Sequence, residues 1–188
     1  MKKIVLVMWC MLVATSANTA FAASGEKDVD YVLWRVGLNM TTATSKQNPN
    51  YEFDGRGVDL TLQVFPFATD SSGIGLGVTG LVARDNKGVT GVSQSTTYLQ
   101  QHLELLYNID ISDGTMLVPV LFVGTHSVAF TDINDVETTL DPETIQGVGL
   151  YLTSASVANK GNGFSGYVKG SKTENELEIL SVGVQISW

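Results

Sequence analysis

From residue 29 onward, apolar side chains recur at every second position in eight separate stretches. The clearest is 177–188. Leu180, Val182, Val184, Ile186 and Trp188 fall on one side, and Ser181, Gly183, Gln185 and Ser187 on the other. Successive side chains of a strand point to opposite faces, so this spacing predicts strands with one apolar face each. Val32, Trp34, Val36, Leu38 and Met40 repeat the pattern in 29–40, as do Val58, Leu60, Leu62 and Val64 in 57–65. Ile74, Leu76, Val78 and Val82 carry it through 74–84, and Leu99, Leu103, Leu105 and Tyr107 through 97–108. Val148, Leu150 and Leu152 mark 144–154, and Phe164 and Val168 mark 163–170. The stretch 115–125 is apolar on both faces and has Pro119 in its middle, where a ladder hydrogen bond is lost, so its register stays open.

Eight strands of about nine to twelve residues have the length that a tilted strand needs to cross a bilayer. The first five connections run 16, 8, 12, 6 and about 18 residues, alternately long and short. Membrane barrels alternate in this way, with long loops outside and short turns inside. The last two fit less well, the sixth being slightly longer than the seventh. The expected fold is all-β, an eight-stranded antiparallel up-and-down transmembrane β-barrel. A soluble barrel of the lipocalin kind would turn the apolar faces inward. Against it, the opposite faces are rich in glycine and small residues, and they hold the charges Arg35, Asp59, Glu104 and Lys169.

The N-terminus bears on the compartment. Lys2 and Lys3 precede a short apolar run, Ile4 to Val13, and Ala20-Phe21-Ala22 is a small-x-small cleavage site. This pattern is a secretory signal peptide, residues 1–22, leaving 23–188 as one barrel domain. Its removal takes away Cys10, the single cysteine, so disulfide and thiol chemistry are not expected. It also leaves 9 basic against 19 acidic residues, a net charge of −10, which argues against nucleic acid as a partner. No later stretch approaches roughly 18 consecutive apolar residues, so no transmembrane helix is predicted.

Ser181-x-Gly183-x-x-Ile186-x-Trp188 has the order polar, x, glycine, x, x, hydrophobic, x, hydrophobic. With the eight strands and the signal peptide, the chain resembles the small bacterial outer-membrane barrels of the OmpA/OmpX type. The likeness covers the mature region as a pattern. It implies the outer membrane of a Gram-negative cell as the location. It implies lipid and lipopolysaccharide as surroundings, and the barrel-assembly machinery as a partner during biogenesis. Ser181, Gly183, Ile186 and Trp188 would then be an assembly signal, read by pairing with an exposed strand. Such barrels commonly end in phenylalanine, from which Trp188 departs.

Four groups are candidates for chemistry. Arg35, Asp59, His102, Glu104 and Lys169 share the inward faces. An eight-stranded barrel is just wide enough to be filled by side chains, and buried charges must be paired. A plugging polar network is therefore expected, with a narrow channel for ions or small solutes as the alternative. His126-Ser127, with Asp132 or Glu137, invites a lipid A-modifying hydrolase. Adjacent residues of a strand point to opposite faces, however, and no Gly-x-Ser-x-Gly is present. Asp132, Asp135, Glu137, Asp141 and Glu143 form an acidic loop without the spacing of an EF-hand. A solvated loop is expected there, with divalent cation binding as the alternative. Tyr31, Trp34, Phe65, Phe67, Tyr98, Tyr107, Tyr151 and Trp188 lie mostly near strand ends, as interfacial girdles would. The reading as a whole is a non-enzymatic structural or surface-interaction protein that works through its loops without a cofactor.

Overall fold

In the computed structural model every predicted stretch is a strand, and each strand is antiparallel to its neighbours. The structure describes residues 31–46, 52–68, 72–86, 95–112, 115–132, 134, 136–154 and 162–188. The expected signal peptide, the polar leader, the expected turn at 48–50 and Asp135 lie outside them. The strands are β1 (Tyr31–Ser45), β2 (Glu52–Ala68), β3 (Ser72–Asp85), β4 (Ser95–Ser112), β5 (Thr115–Thr131), β6 (Glu137–Thr139), β7 (Glu143–Thr153), β8 (Gly163–Thr173) and β9 (Leu177–Ser187).

Eight of these close a barrel in the order β1-β2-β3-β4-β5-β7-β8-β9. The closing pair, β1 with β9, runs from Arg35 opposite Ser187 to Ser45 opposite Leu177. Trp188 extends it by two backbone hydrogen bonds with Trp34, each 3.1 Å. Short β6 pairs only with the end of β5, at Ala129 to Thr131. It turns the acidic segment from an expected loop into a small hairpin on the rim. Tyr31, Trp188 and the strand ends at Ala68, Ser72, Ser112, Thr115, Thr153 and Gly163 lie at one end, called here the terminal end. The strand ends at Ser45, Glu52, Asp85, Ser95, Thr131, Glu143, Thr173 and Leu177 lie at the other, the distal end.

The strands are longer than predicted. β1 runs on past Met40 to Ser45, and β2 begins at Glu52, before the expected Gly57. The added residues hold their ladder as far as Thr44 opposite Glu52, although their outward side chains are polar. The open register of 115–125 is settled. Met116, Val118, Val120 and Phe122 are buried, while Leu121 and Val123 are more than half exposed. Pro119 aligns with Leu150 on β7, and the β4–β5 pairing lapses between Leu106–Val120 and Ile109–Leu117, beside the proline's missing N–H.

The two faces of the wall differ sharply. Leu38, Val184 and Phe164 are 66%, 64% and 71% exposed on the outside. They belong to a belt of large apolar side chains that runs through all eight barrel strands. In water, each would forgo the ~1.5–3 kcal/mol gained by burying such a side chain, and a continuous belt of this extent is foreign to soluble monomers. Lipid removes that cost, and closing the sheet leaves no barrel strand with an open edge toward it.

Inside are two apolar clusters. Ala43, Phe53, Leu81, Tyr98, Val128 and Ile145 pack with others toward the distal end. Leu33, Phe65, Leu106, Met116, Val118 and Tyr151 pack toward the terminal end. A buried polar layer lies between them.

Candidate functional site

The polar layer is centred on the Glu104 carboxylate. Glu104 and Lys169 are both almost wholly buried, on β4 and β8, and the Lys169 ammonium lies 2.5 Å from Glu104 Oε1. Oε1 also accepts hydrogen bonds from Thr79 (2.8 Å) and Tyr151 (3.0 Å), and lies 2.9 Å from His102 Nε2. Oε2 accepts from Gln63 Nε2 at 3.0 Å. Five side chains from five strands thus replace the water that a carboxylate would otherwise need. Around Lys169, the rings of Tyr151, Tyr167 and Phe122 lie with centroids 4.9, 5.1 and 6.0 Å from the ammonium, within cation–π range. Arg35, also fully buried, places its guanidinium carbon 4.9 Å from the Tyr151 centroid.

A second carboxylate lies in the same layer. Asp59 Oδ2 accepts from the Tyr167 hydroxyl at 2.8 Å, and Oδ1 accepts from Gln185 Nε2. Toward the distal end the network continues along β4. Gln100 bridges His102 Nδ1 (2.8 Å) and the Tyr98 hydroxyl (3.0 Å). Tyr98 stacks on His126 at 5.4 Å between centroids, and His126 Nε2 lies 3.5 Å from Glu143 Oε2 at the rim. Arg35, Asp59, His102, Glu104 and Lys169 thus share one interior. Gln63, Thr79, Tyr151, Tyr167 and Gln185 complete it. The sequence marked several of these as inward-facing, but which of them meet depends on register around the closed wall.

His126 and Ser127 do not meet. His126 is buried against Tyr98, whereas Ser127, paired with Leu99, belongs to the opposite face of β5. The acidic residues of the rim are also dispersed. Asp132 accepts hydrogen bonds from the backbone N–H groups of Asn134 (2.8 Å) and Val136 (2.9 Å), which hold its carboxyl below the usual carboxylate range. Glu137 lies in β6, Asp141 is exposed, and Glu143 accepts from Asn175 Nδ2 at 2.7 Å while facing His126. Among the described residues, no three His, Cys, Asp or Glu side chains converge as a metal site would require. Elsewhere on the rim, Lys46 meets Glu178 at 2.7 Å, and that carboxylate raises the lysine's pKa above its ordinary value.

In the closing strand, Ser181 is buried and hydrogen-bonds Thr41 Oγ1 at 3.0 Å. Gly183 faces inward, where a Cβ would stand 2.5–2.7 Å from the Tyr167 ring. Ile186 and Trp188 are 56% and 54% exposed on the belt.

The expected aromatic girdles need correction. Phe65, Tyr98 and Tyr151 are inside the barrel, with exposures of at most 1%. Tyr107 and Trp188 face outward, joined by Phe164, which had not been assigned to a girdle. The side chains of Tyr31 and Phe67 lie outside the described residues.

Compared by sequence, the chain matches no family model and no curated protein. Compared by fold, it is similar to Neisserial surface protein A, with a TM-score of 0.62 and 9% identity over 83% of this chain and 95% of that one. It is also similar to Ail, the attachment invasion locus protein of Yersinia pestis, in complex with the heparin analogue sucrose octasulfate. There the TM-score is 0.54, with 13% identity over 85% of this chain and 99% of that one. The fold is that of the small outer-membrane barrels that the sequence resembles.

Proposed function

We propose that this chain is an outer-membrane protein of a Gram-negative cell, exported by residues 1–22, whose work is done by its distal loops rather than by catalysis or transport. The observation that carries the reading is the inverted wall: an unbroken apolar belt outside, and inside a polar layer stoppered by an apolar cluster at each end. A lumen filled in this way favours a structural or surface-interaction role over a solute channel. The opposite facing of His126 and Ser127 disfavours a lipid-modifying enzyme. The similar folds include a surface protein and an attachment invasion protein, in keeping with a surface role. On this reading the termini are periplasmic. Outer-membrane lipid and lipopolysaccharide surround the belt, and Ser181, Gly183, Ile186 and Trp188 are read by the barrel-assembly machinery.

Cell fractionation with heat-modifiable gel mobility tests the location. The protein is expected in outer-membrane fractions, with a mobility that changes on boiling; a soluble protein without a shift overturns the reading. Planar-bilayer recording tests the closed lumen. Traces equal to empty lipid are expected, and discrete steps would establish the channel instead.

A further inference from the structure

On the outer surface of the described residues, positive charge is left without an ion pair at one place. Arg56 of β2 and Arg84 of β3 are direct cross-strand partners, both outward and exposed. Directly opposed side chains of an antiparallel pair have Cβ atoms about 4.5–5.5 Å apart, and like charges there repel. The strands cannot spread to relieve this without disturbing a tight junction. Gly57, next to Arg56, lies so close to β3 that a Cβ would stand 1.7 Å from the Val82 carbonyl oxygen. The other outward cations of the described residues have acidic company: Lys46 pairs with Glu178, and Lys172 is the cross-strand partner of Glu178. Neither arginine has an ion pair among the described residues; Arg84 Nη2 donates to Ser95 Oγ at 3.1 Å. Asp54, two residues farther out on the same face of β2, pairs with neither.

Depth says what could neutralise the pair. One step toward the terminal end, Val58 and Val82 are also cross-strand partners, 55% and 40% exposed in the apolar belt. On the neighbouring strand, Met40, the partner of Arg56, is the last outward apolar residue of β1. The two guanidinium groups therefore stand at the distal edge of the belt, at headgroup level, and face lipid. A guanidinium presents a planar fork of N–H donors that fits phosphate oxygens in bidentate fashion.

We propose that Arg56 and Arg84 clamp the phosphate of a phosphorylated lipid in the distal leaflet, with acyl chains against Val58 and Val82. The ligand chemistry is a lipid phosphate ester, held by two opposed forks. The proposal rests on the membrane reading above.

The test uses the refolded barrel in a zwitterionic detergent, with native mass spectrometry counting bound lipid. The probes are a diphosphoryl lipid A, its dephosphorylated form and inorganic phosphate. The wild type is expected to retain the diphosphoryl lipid at least tenfold more strongly than the dephosphorylated one. R56Q/R84Q is expected to lose that preference, R56K/R84K to keep part of it, and K46Q/K172Q to keep all of it. Equal retention by wild type and R56Q/R84Q overturns the clamp. So does a wild type indifferent to phosphorylation, a result that needs no variant to fold. Displacement by millimolar inorganic phosphate as effective as by lipid would make this a free-phosphate site and overturn the lipid assignment. Heat-modifiable mobility and insertion into phosphate-free vesicles are read in parallel. Their loss in the wild type would refute the membrane reading itself, whereas their persistence with no phosphate preference refutes the clamp alone.

Discussion

Replacing Glu104 by glutamine keeps the shape of the side chain and removes its charge. The Lys169 ammonium, 2.5 Å from Oε1 and 3% exposed, then has no anion beside it. The three rings around it soften the loss but do not neutralise the charge. Breaking a buried pair from one side costs about 3–5 kcal/mol, because the survivor stays buried and unpaired. Lys169→Met alone strands the carboxylate in the same way. The double variant E104Q/K169M has no stranded charge, and Met fills most of the volume of the lysine stem. Its loss should therefore be far smaller than the sum of the two single losses, since exchange of a whole buried pair for neutral groups is often nearly neutral. Independent sites add to within about 0.3–0.5 kcal/mol, so a coupling of several kcal/mol is unmistakable. Equilibrium urea unfolding in phospholipid vesicles, followed by tryptophan fluorescence and the heat-modifiable gel shift, measures all four proteins. Additive losses would refute the pairing of Glu104 with Lys169 as the core of the interior.

Other expectations follow from packing, depth and charge. Gly183→Ala places a methyl 2.5 Å from a Tyr167 ring that is tied by its hydroxyl to Asp59, so a loss of about 1–3 kcal/mol is expected in the same unfolding assay. Gly170→Ala meets nothing within 4 Å and should be neutral or stabilising by up to about 1 kcal/mol. Leu38→Arg, in the middle of the belt, should cost about 2–4 kcal/mol, whereas Thr42→Arg, past its edge, should cost about 0–1 kcal/mol. The folded-state pKa of Asp132 is depressed by the hydrogen bonds it accepts. The turn it closes is therefore fully supported above the ordinary carboxylate range and loosens as pH falls through the lowered value. The protection of the Val136 amide against exchange, corrected for the intrinsic rate at each pH, should fall at acid pH, and Asp132→Asn should remove that fall.

The alternation made the wall legible because lipid and a crowded interior select opposite side chains at successive positions. It lost contrast where that selection stops. Beyond Met40, Thr41 faces in and Thr42 out, and both are polar, so the strand continues without a visible signal. In 115–125 the inward positions serve the two apolar clusters and the outward ones serve the belt, so both faces are apolar. The misplaced aromatics carry a sharper lesson. Phe65 shares the parity of Asp59 and Gln63, and Tyr98 that of His102; parity within a strand decides the face, whereas nearness to a strand end does not. The five inward polar residues Arg35, Asp59, His102, Glu104 and Lys169 were readable for the same reason. Their pairing was not, because Glu104 and Lys169 are 65 residues apart and meet across the lumen, where no sequence period reports distance.

The central claim is that the outer face touches lipid, and the closing strand tests it most directly. Residues 23–188 have no cysteine, so single cysteines at positions 180 to 187 of that region can each carry a nitroxide without background. In reconstituted bilayers, collision rates with oxygen, which partitions into lipid, and with a water-soluble nickel chelate are measured along β9. Labels at 180, 182, 184 and 186 should collide with oxygen and be shielded from nickel, while labels at 181, 183, 185 and 187 should be shielded from both. Nickel access at the even positions would place the apolar face in water and contradict the account.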